Sequence, residues 1–305
     1  MSILNKIKKI STLEIFLFVL IISLGIVIFC KNNKEGFIVE KPTFVKHTDI
    51  DIYDDFYSEV YDQLVFDKIR RDYEIDCIFD RNINNNNKNL FVLDIGSGTG
   101  HHIDSINKLK IKSVGIDNSK SMVQKAKNNF PSCRFKHANV LQSILFPQDT
   151  FSHILCLYFT IYYFKNKRLF LQNCFNWLQP NGILVLHLVN MKKFDPILPS
   201  CKNGRFINDK TRPTQSEIEF ELFDYKSNFT IDSKVKSKES NAIFKETFKF
   251  HDSKKTRINE HHLFMEPQET ILAIAKDIGF ILQSQTEMIE IDYNYNYIYT
   301  LQKPF

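Results

Sequence analysis

The run Leu90-Phe91-Val92-Leu93-Asp94-Ile95-Gly96-Ser97-Gly98-Thr99-Gly100 constrains this chain more than any other feature. A buried strand runs directly into three glycines at alternating positions, and a helix opens from about His101 to Lys110. Glycine is required there because the turn is tight and a ligand must approach the backbone with no Cβ in the way. A βα turn of this kind belongs to a sheet whose strands carry ligands at their carboxyl ends.

The flanking residues extend that pattern. Residues 52–80 read as one helix, and the asparagine-rich stretch 81–89 as a surface loop. Strands follow at 113–117, 133–140, 151–159 and 182–190, with helices at 118–130 and 166–178. The first of these helices opens on Asn118 or Ser119; the second closes at the Pro180-Asn181-Gly182 turn. This order specifies an α/β protein with a doubly wound, mostly parallel sheet. Residues 205–265 break the rhythm: 218–227, 229–238 and 243–251 alternate apolar and polar residues as half-exposed antiparallel strands do. They read as an inserted small antiparallel sheet, a lid over one end of the fold. A helix at 265–280 and a strand pair at 281–291 and 295–303 close the domain, which spans 49–305.

Acidic and amide residues follow the first three strands. Asp94 precedes the glycine loop within reach of an ammonium group. Asp117 ends the second strand, where a carboxylate accepts both hydroxyls of a ribose. Asn118 lies next to it, and Asn139 follows the third strand, where an amide meets an adenine edge. Together they describe a nucleoside-binding crevice. The rival is dinucleotide binding, but its fingerprint is GxGxxG, whereas here the spacing is GxGxG followed by His101-His102. Asp94 would also sit badly beside a pyrophosphate.

These motifs resemble those of the class I S-adenosylmethionine-dependent methyltransferases. LDIGSGTG resembles their first motif, GIDNS their second and HANV their third, with Asn139 where Asp is usual. CLYFTIYYF and LQPNGILVLHLV resemble the segments at strands four and five. The resemblance covers roughly residues 52–305. Within that superfamily YDQLVFDKIRRDYEID, SMVQKAKNNFP and INEHHLFMEP are similar to the small-molecule branch that includes nucleotide-sugar N-methyltransferases. The resemblance implies a Rossmann-like sheet with an antiparallel last strand and S-adenosyl-L-methionine as cofactor. It implies that Gly96, Ser97, Gly98 and Gly100 shape the methionine pocket and that Asp117 holds the ribose. It also implies that Tyr57, Tyr61 or Arg71 covers the cofactor or pairs with its carboxylate.

Methyl transfer from a sulfonium needs position, orientation and desolvation, and a base for the acceptor's proton. Tyr158, Tyr162 and His187 stand at or after the ends of strands four and five, and His187 is the leading candidate base. The other reading of each is a packed or hydrogen-bonded core residue. No metal-ligand spacing occurs: His101-His102 and His261-His262 are adjacent pairs that point to opposite sides of an element. The segment Leu157-Tyr158-Phe159-Thr160 lacks the Asn/Asp-Pro-Pro-aromatic run of base aminomethylation, and a net charge of +5 is mild. A small-molecule acceptor is therefore expected and nucleic acid is not. The competing function is a catalytically inactive binding scaffold at a membrane.

That membrane enters through residues 10–30, apolar except for Glu14 and a few small polar side chains. At 1.5 Å per residue such a run spans about 31 Å, the thickness of a bilayer core. It reads as a single transmembrane helix after a short basic N-terminus (1–9) and before a polar linker (31–48). Six cysteines without CxxC pairs indicate free thiols and a reducing compartment, so the catalytic domain is expected to face the cytosol.

Overall fold

The computed structural model describes residues 16–17, 19–24, 43–79, 89–196, 198–201, 205–209, 212–231 and 241–305. The chain divides into two units, Met1–Thr43 and Phe44–Phe305. In the first, residues 16–17 and 19–24 are helical with exposed apolar side chains such as Phe16 and Ile21. Among the described residues no helix is long and apolar enough to cross a membrane. Most of the expected span 10–30, and all of the basic segment 1–9, lie outside the described residues.

The second unit contains two sheets. Its first strand, β1 (Phe44–Thr48), falls inside the stretch expected to be linker. The main sheet is built from β2 (Phe91–Ile95), β3 (Lys112–Asp117), β4 (Phe135–His137), β5 (Phe151–Cys156) and β6 (Leu178–Val189), with β12 (Ile281–Met288) and β13 (Tyr293–Gln302). Their order is β12-β13-β6-β5-β2-β3-β4, and β13 alone runs against its neighbours. Runs such as Val92–Ile95 and Ile154–Cys156 are buried throughout, as strands covered by helices on both faces must be. The sheet order reverses beside β2, which opens the crevice at its carboxyl end.

The expected single helix over 52–80 is in fact two helices behind a short 3-10 turn. A 3-10 turn (Asp49–Ile52) precedes α1 (Asp55–Val65), and α2 (Lys68–Ile78) follows after a break at Phe66-Asp67. The cause is capping. Asp54 accepts the Tyr57 N–H, and Asp67 accepts those of Ile69 and Arg70, so each aspartate ends one segment and starts another. Elsewhere the helices follow expectation: α3 (His101–Lys108), α4 (Lys120–Asn129) capped by Ser119, α5 (Lys167–Trp177) capped by Asn166, and α6 (Gln268–Ile278), ended by Gly279 in the left-handed region. The Pro180–Gly182 segment does not terminate α5; it lies within the early part of β6.

The second sheet has six strands in the order β1-β11-β10-β9-β8-β7, with β7 (Arg205–Asp209), β8 (Arg212–Glu219), β9 (Phe223–Ile231), β10 (Ala242–Phe250) and β11 (Thr256–Leu263). The strand expected at 218–227 instead straddles a turn, because Phe220 donates its N–H to the Phe223 carbonyl. Residues 232–238 of the next expected strand lie outside the described residues. Alternation aims Phe223, Tyr225 and Phe229 of β9 inward, and the inner face packs on α1 through Tyr57, Leu64, Tyr225 and Phe248.

Asp67 also accepts the Tyr293 hydroxyl at 2.8 Å, tying α2 to β13. Asp67→Ala is expected to destabilise the domain by about 1–2 kcal/mol, read as a lower Tm or denaturation midpoint.

Candidate active site

The glycine turn is held by backbone geometry and one carboxylate. Gly96 has φ +72°, and a Cβ there would lie 2.5 Å from Thr160 Cγ2. Gly100 has φ +96°, and a Cβ there would meet the Phe135 ring at 2.6 Å. The N–H groups of Gly96 and Ser97 donate to the Ile116 carbonyl. The next N–H, of Gly98, donates to Asp117 Oδ2 at 3.0 Å, while Asp117 Oδ1 accepts from Ser119 N–H at 2.8 Å. Burial raises the Asp117 pKa, and the N–H groups of Ser119 and Gly98 oppose that rise.

Asp117 lines a cavity together with Asn118, Met122, Asn139 and Val140 at the ends of β3 and β4. The Asn139 side-chain oxygen is engaged by Leu141 N–H at 2.9 Å. A second cavity lies on the other side of the glycine turn, walled by Asp94, Arg70, Tyr57 and Tyr158. Tyr53, Tyr61, Thr160 and Tyr163 line both cavities.

Two ionisable groups face this second cavity with polar atoms that make no hydrogen bond among the described residues. Asp94 is 3% exposed, and its Oδ2 accepts no hydrogen bond. Burial pushes its carboxyl up to about 7; His102 opposes the rise, and the charges of Glu74 and Asp117 add to it. Arg70 holds its guanidinium 3.9 Å from the centroid of the Tyr158 ring, and its Nε makes no hydrogen bond among the described residues but faces Glu74 Oε2 as an ion pair at 4.0 Å. A buried carboxyl group and a buried guanidinium on one wall suit a zwitterion with an ammonium and a carboxylate. The orphaned carboxylate, the glycine cradle and Asp117 therefore fit S-adenosyl-L-methionine, the cofactor that the sequence motifs imply.

Under Arg70 lies a closed polar cluster. Glu74, fully buried, accepts from His102 at 2.8 Å and from His187 at 3.2 Å, and these bonds outweigh burial to hold it far below the carboxylate range. The other His187 nitrogen meets Asn296 Oδ1 at 3.1 Å. His187 is 0% exposed, so it supports the cavity floor and does not face a substrate. The residue expected to act as base thus lines neither cavity. Tyr162 is also displaced from the site: its hydroxyl accepts the Val189 N–H inside the core. Arg71, one residue from Arg70 and about 100° around the helix, pairs with Asp72 away from both cavities. Arg70 takes its place because Asp67 sets the phase of α2.

The lid sheet contributes a second polar cluster that the sequence did not reveal. Glu246 on β10 is 0% exposed and receives four donors: Tyr57 Oη, Tyr225 Oη, Asn259 Nδ2 and His261 Nε2. These bonds overcome burial and keep it below the ordinary carboxylate range. His261 Nδ1 lies 2.7 Å from the Tyr163 hydroxyl, and Tyr53 Oη donates to Tyr163 Oη at 2.9 Å. Burial raises both phenols above the ordinary tyrosine range, so they stay protonated. A signal for this cluster was present in the His261-His262 pair: strand alternation sends only His261 inward.

Comparison with known proteins agrees with this geometry. Residues 92–182 match the family model for a methyltransferase domain. No curated protein matches the sequence at a significant level. Among solved structures, an S-adenosylmethionine-dependent methyltransferase from Clostridium acetobutylicum is 15% identical, with TM-score 0.60, covering 82% of this chain and 97% of its own. The CcbJ methyltransferase from Streptomyces caelestis is 13% identical, with TM-score 0.63, covering 84% and 100%. An S-adenosylmethionine-bound amino pentose methyltransferase from Micromonospora echinaspora is 15% identical, with TM-score 0.55, covering 77% and 90%. At such identities the likeness concerns the fold.

The buried Asp94 carboxylate generates a stability prediction. Its raised pKa means that the native state holds a proton between about pH 4 and 7, so its burial costs stability above that window. Asp94→Asn is expected to raise stability by roughly 1–3 kcal/mol at pH 8, and the gain to shrink as pH falls toward 4. Thermal melts across pH check the sign. In the same way, Gly96→Ala should lower Tm, and adding Thr160→Ala should restore part of the loss, since the clash is with that side chain.

Proposed function

We propose that this class I S-adenosylmethionine-dependent methyltransferase transfers its methyl group to an amine nitrogen on a small, sugar-like molecule. The observation that carries the cofactor half is the pairing of Asp94 and Arg70 on one cavity wall with Asp117 across the glycine turn. The Asp94 carboxylate receives the amino group, Arg70 the carboxylate, and Asp117 the ribose hydroxyls. Tyr57 and Tyr61 cover the ligand, while Gly96, Ser97, Gly98 and Gly100 keep the turn open beneath it. Asn118 and Asn139 border the base. When bound, the cofactor supplies a methyl group activated by the positive sulfur; the protein positions the acceptor and excludes water.

The acceptor half rests on the aromatic lining of the second cavity, to which Tyr53, Tyr57, Phe159 and Phe244 contribute rings of the kind that attract a cation. Its lid walls leave room for a small molecule, and an amino pentose methyltransferase is among the proteins of similar fold. The apolar run 10–30 supports a further element of the proposal, a single N-terminal anchor with the catalytic domain toward the cytosol.

Calorimetric titration of S-adenosylhomocysteine into the full-length protein tests the cofactor site. Micromolar binding is expected, weakened at least about tenfold by Asp117→Ala and by Arg70→Ala. No binding by folded protein would overturn the reading. For the anchor, alkaline carbonate extraction of membranes from expressing cells should leave the chain in the pellet; release into the supernatant would exclude it.

A further inference from the structure

Tyr53 and Tyr163 stand in the wall shared by the two cavities, where a methyl donor and its acceptor meet. Their hydroxyls open a continuous chain. Tyr53 Oη donates to Tyr163 Oη, Tyr163 Oη lies 2.7 Å from His261 Nδ1, and His261 Nε2 meets Glu246 at 2.8 Å, so a neutral imidazole that donates to Glu246 accepts from Tyr163. The chain ends on a buried carboxylate that the Tyr57 and Tyr225 hydroxyls and the Asn259 amide also address. Arg257 stands behind it, bonded to Asn259 Oδ1 at 2.8 Å and to Asp54 at 2.7 Å. At the open end, the Tyr53 oxygen has given its proton away along the chain and keeps its lone pairs for a donor in the cavity.

We propose that Tyr53, Tyr163, His261 and Glu246 form a proton relay that takes the acceptor's proton, with His261 as the terminal base and Glu246 stabilising its imidazolium. The proposal rests on the methyltransferase reading above and assigns the nucleophile as an amine that reaches the site as an ammonium. The proton leaves nitrogen for Tyr53 Oη, the Tyr53 proton moves to Tyr163 Oη, and the Tyr163 proton moves to His261 Nδ1. The freed lone pair forms the new N–C bond to the methyl carbon, and the electron pair of the broken S–C bond stays on sulfur. Neither phenol becomes a phenolate at rest, consistent with the burial that raises both pKa values. The other histidines near the site are committed elsewhere: His101 to Asp62, His102 to Glu74, and His187 to Glu74 and Asn296. The lid sheet thus carries the base, while the glycine-loop half carries the methyl donor.

Sinefungin tests this without an identified acceptor. In that analogue a carbon bearing an ammonium group replaces the methyl-bearing sulfur, so the ammonium takes the place of the transferred methyl, next to the position where the reacting nitrogen meets the relay. Its amino-acid and nucleoside ends are those of S-adenosylhomocysteine, so the ratio of the two affinities isolates that one position. Wild-type full-length protein is expected to favour sinefungin by at least about tenfold, as for one charge-assisted hydrogen bond. Tyr163→Phe, which removes one oxygen and leaves the ring in place, should abolish most of that preference, read as the ratio of the two affinities within the variant. Tyr53→Phe should do the same, and the two effects should not add. A wild-type protein with no preference, a preference that survives both variants, or equal weakening of both ligands would overturn the relay. Failure of the wild-type protein to bind either ligand would instead overturn the methyltransferase reading itself.

Discussion

The buried Glu246 carboxylate is the interaction on which the site's geometry depends. A charge at 0% exposure costs several kcal/mol unless it is fully partnered, so its four donors must all be present together. They come from α1 (Tyr57), β9 (Tyr225) and β11 (Asn259 and His261). One residue of slip in any strand would turn its side chains to the opposite face and leave the carboxylate unpaired. The carboxylate therefore fixes both the register of the lid sheet and its seat on α1. Because α1 also carries Tyr61 and, through Asp62, bonds Thr99 and His101, the lid and the glycine turn are held to one helix.

The glycine-loop half follows a different economy. Its cavity leaves Asp94 Oδ2 and Arg70 Nε without a hydrogen bond among the described residues, and Tyr158 sits at φ +53°, a conformation uncommon for a bulky residue. Such features reduce stability and persist where the surroundings over-determine them. Here the surroundings are the Glu74 cluster beneath Arg70 and the buried stretches 92–95 of β2, 154–156 of β5 and 184–189 of β6. Under the proposed function a ligand's ammonium satisfies the Asp94 carboxyl group, so the cost in the free protein becomes selectivity for that ligand.

Local signals carried much of the architecture. Apolar strand runs, capping serine and asparagine, and the glycine turn located β2, β3, β5, α4 and α5 within a few residues. Errors arose where a local signal had two readings. Asp54 and Asp67 look like ordinary charges on a helical face, yet each breaks that helix as a cap, and the break decides that Arg70 and not Arg71 faces the cavity. The strand pattern around 218–227 concealed a turn, because Phe220, Leu222 and Phe223 are as apolar as the strand residues around them. Residues 44–48 read as linker because a strand paired at one edge needs no strong apolar pattern.

What the sequence determined by itself is the half of the site encoded in consecutive residues. The Asp94–Gly100 turn and Asp117 at the end of the next strand lie within one βαβ unit, where short connections and right-handed crossover leave little freedom. What only the tertiary structure decided is the half assembled from distant ones. Tyr53, Tyr163, Glu246 and His261 come from four separate segments, and apart from the alternation that turns His261 inward, nothing in their local sequence distinguishes a hydrogen-bonded chain from packed tyrosines and a surface glutamate. The same holds in reverse for His187 and Tyr162, whose places after strands suggest a site while packing encloses them. Strand alternation gives a side chain a face, but only the sheet's register and its seat on α1 decide what that face meets.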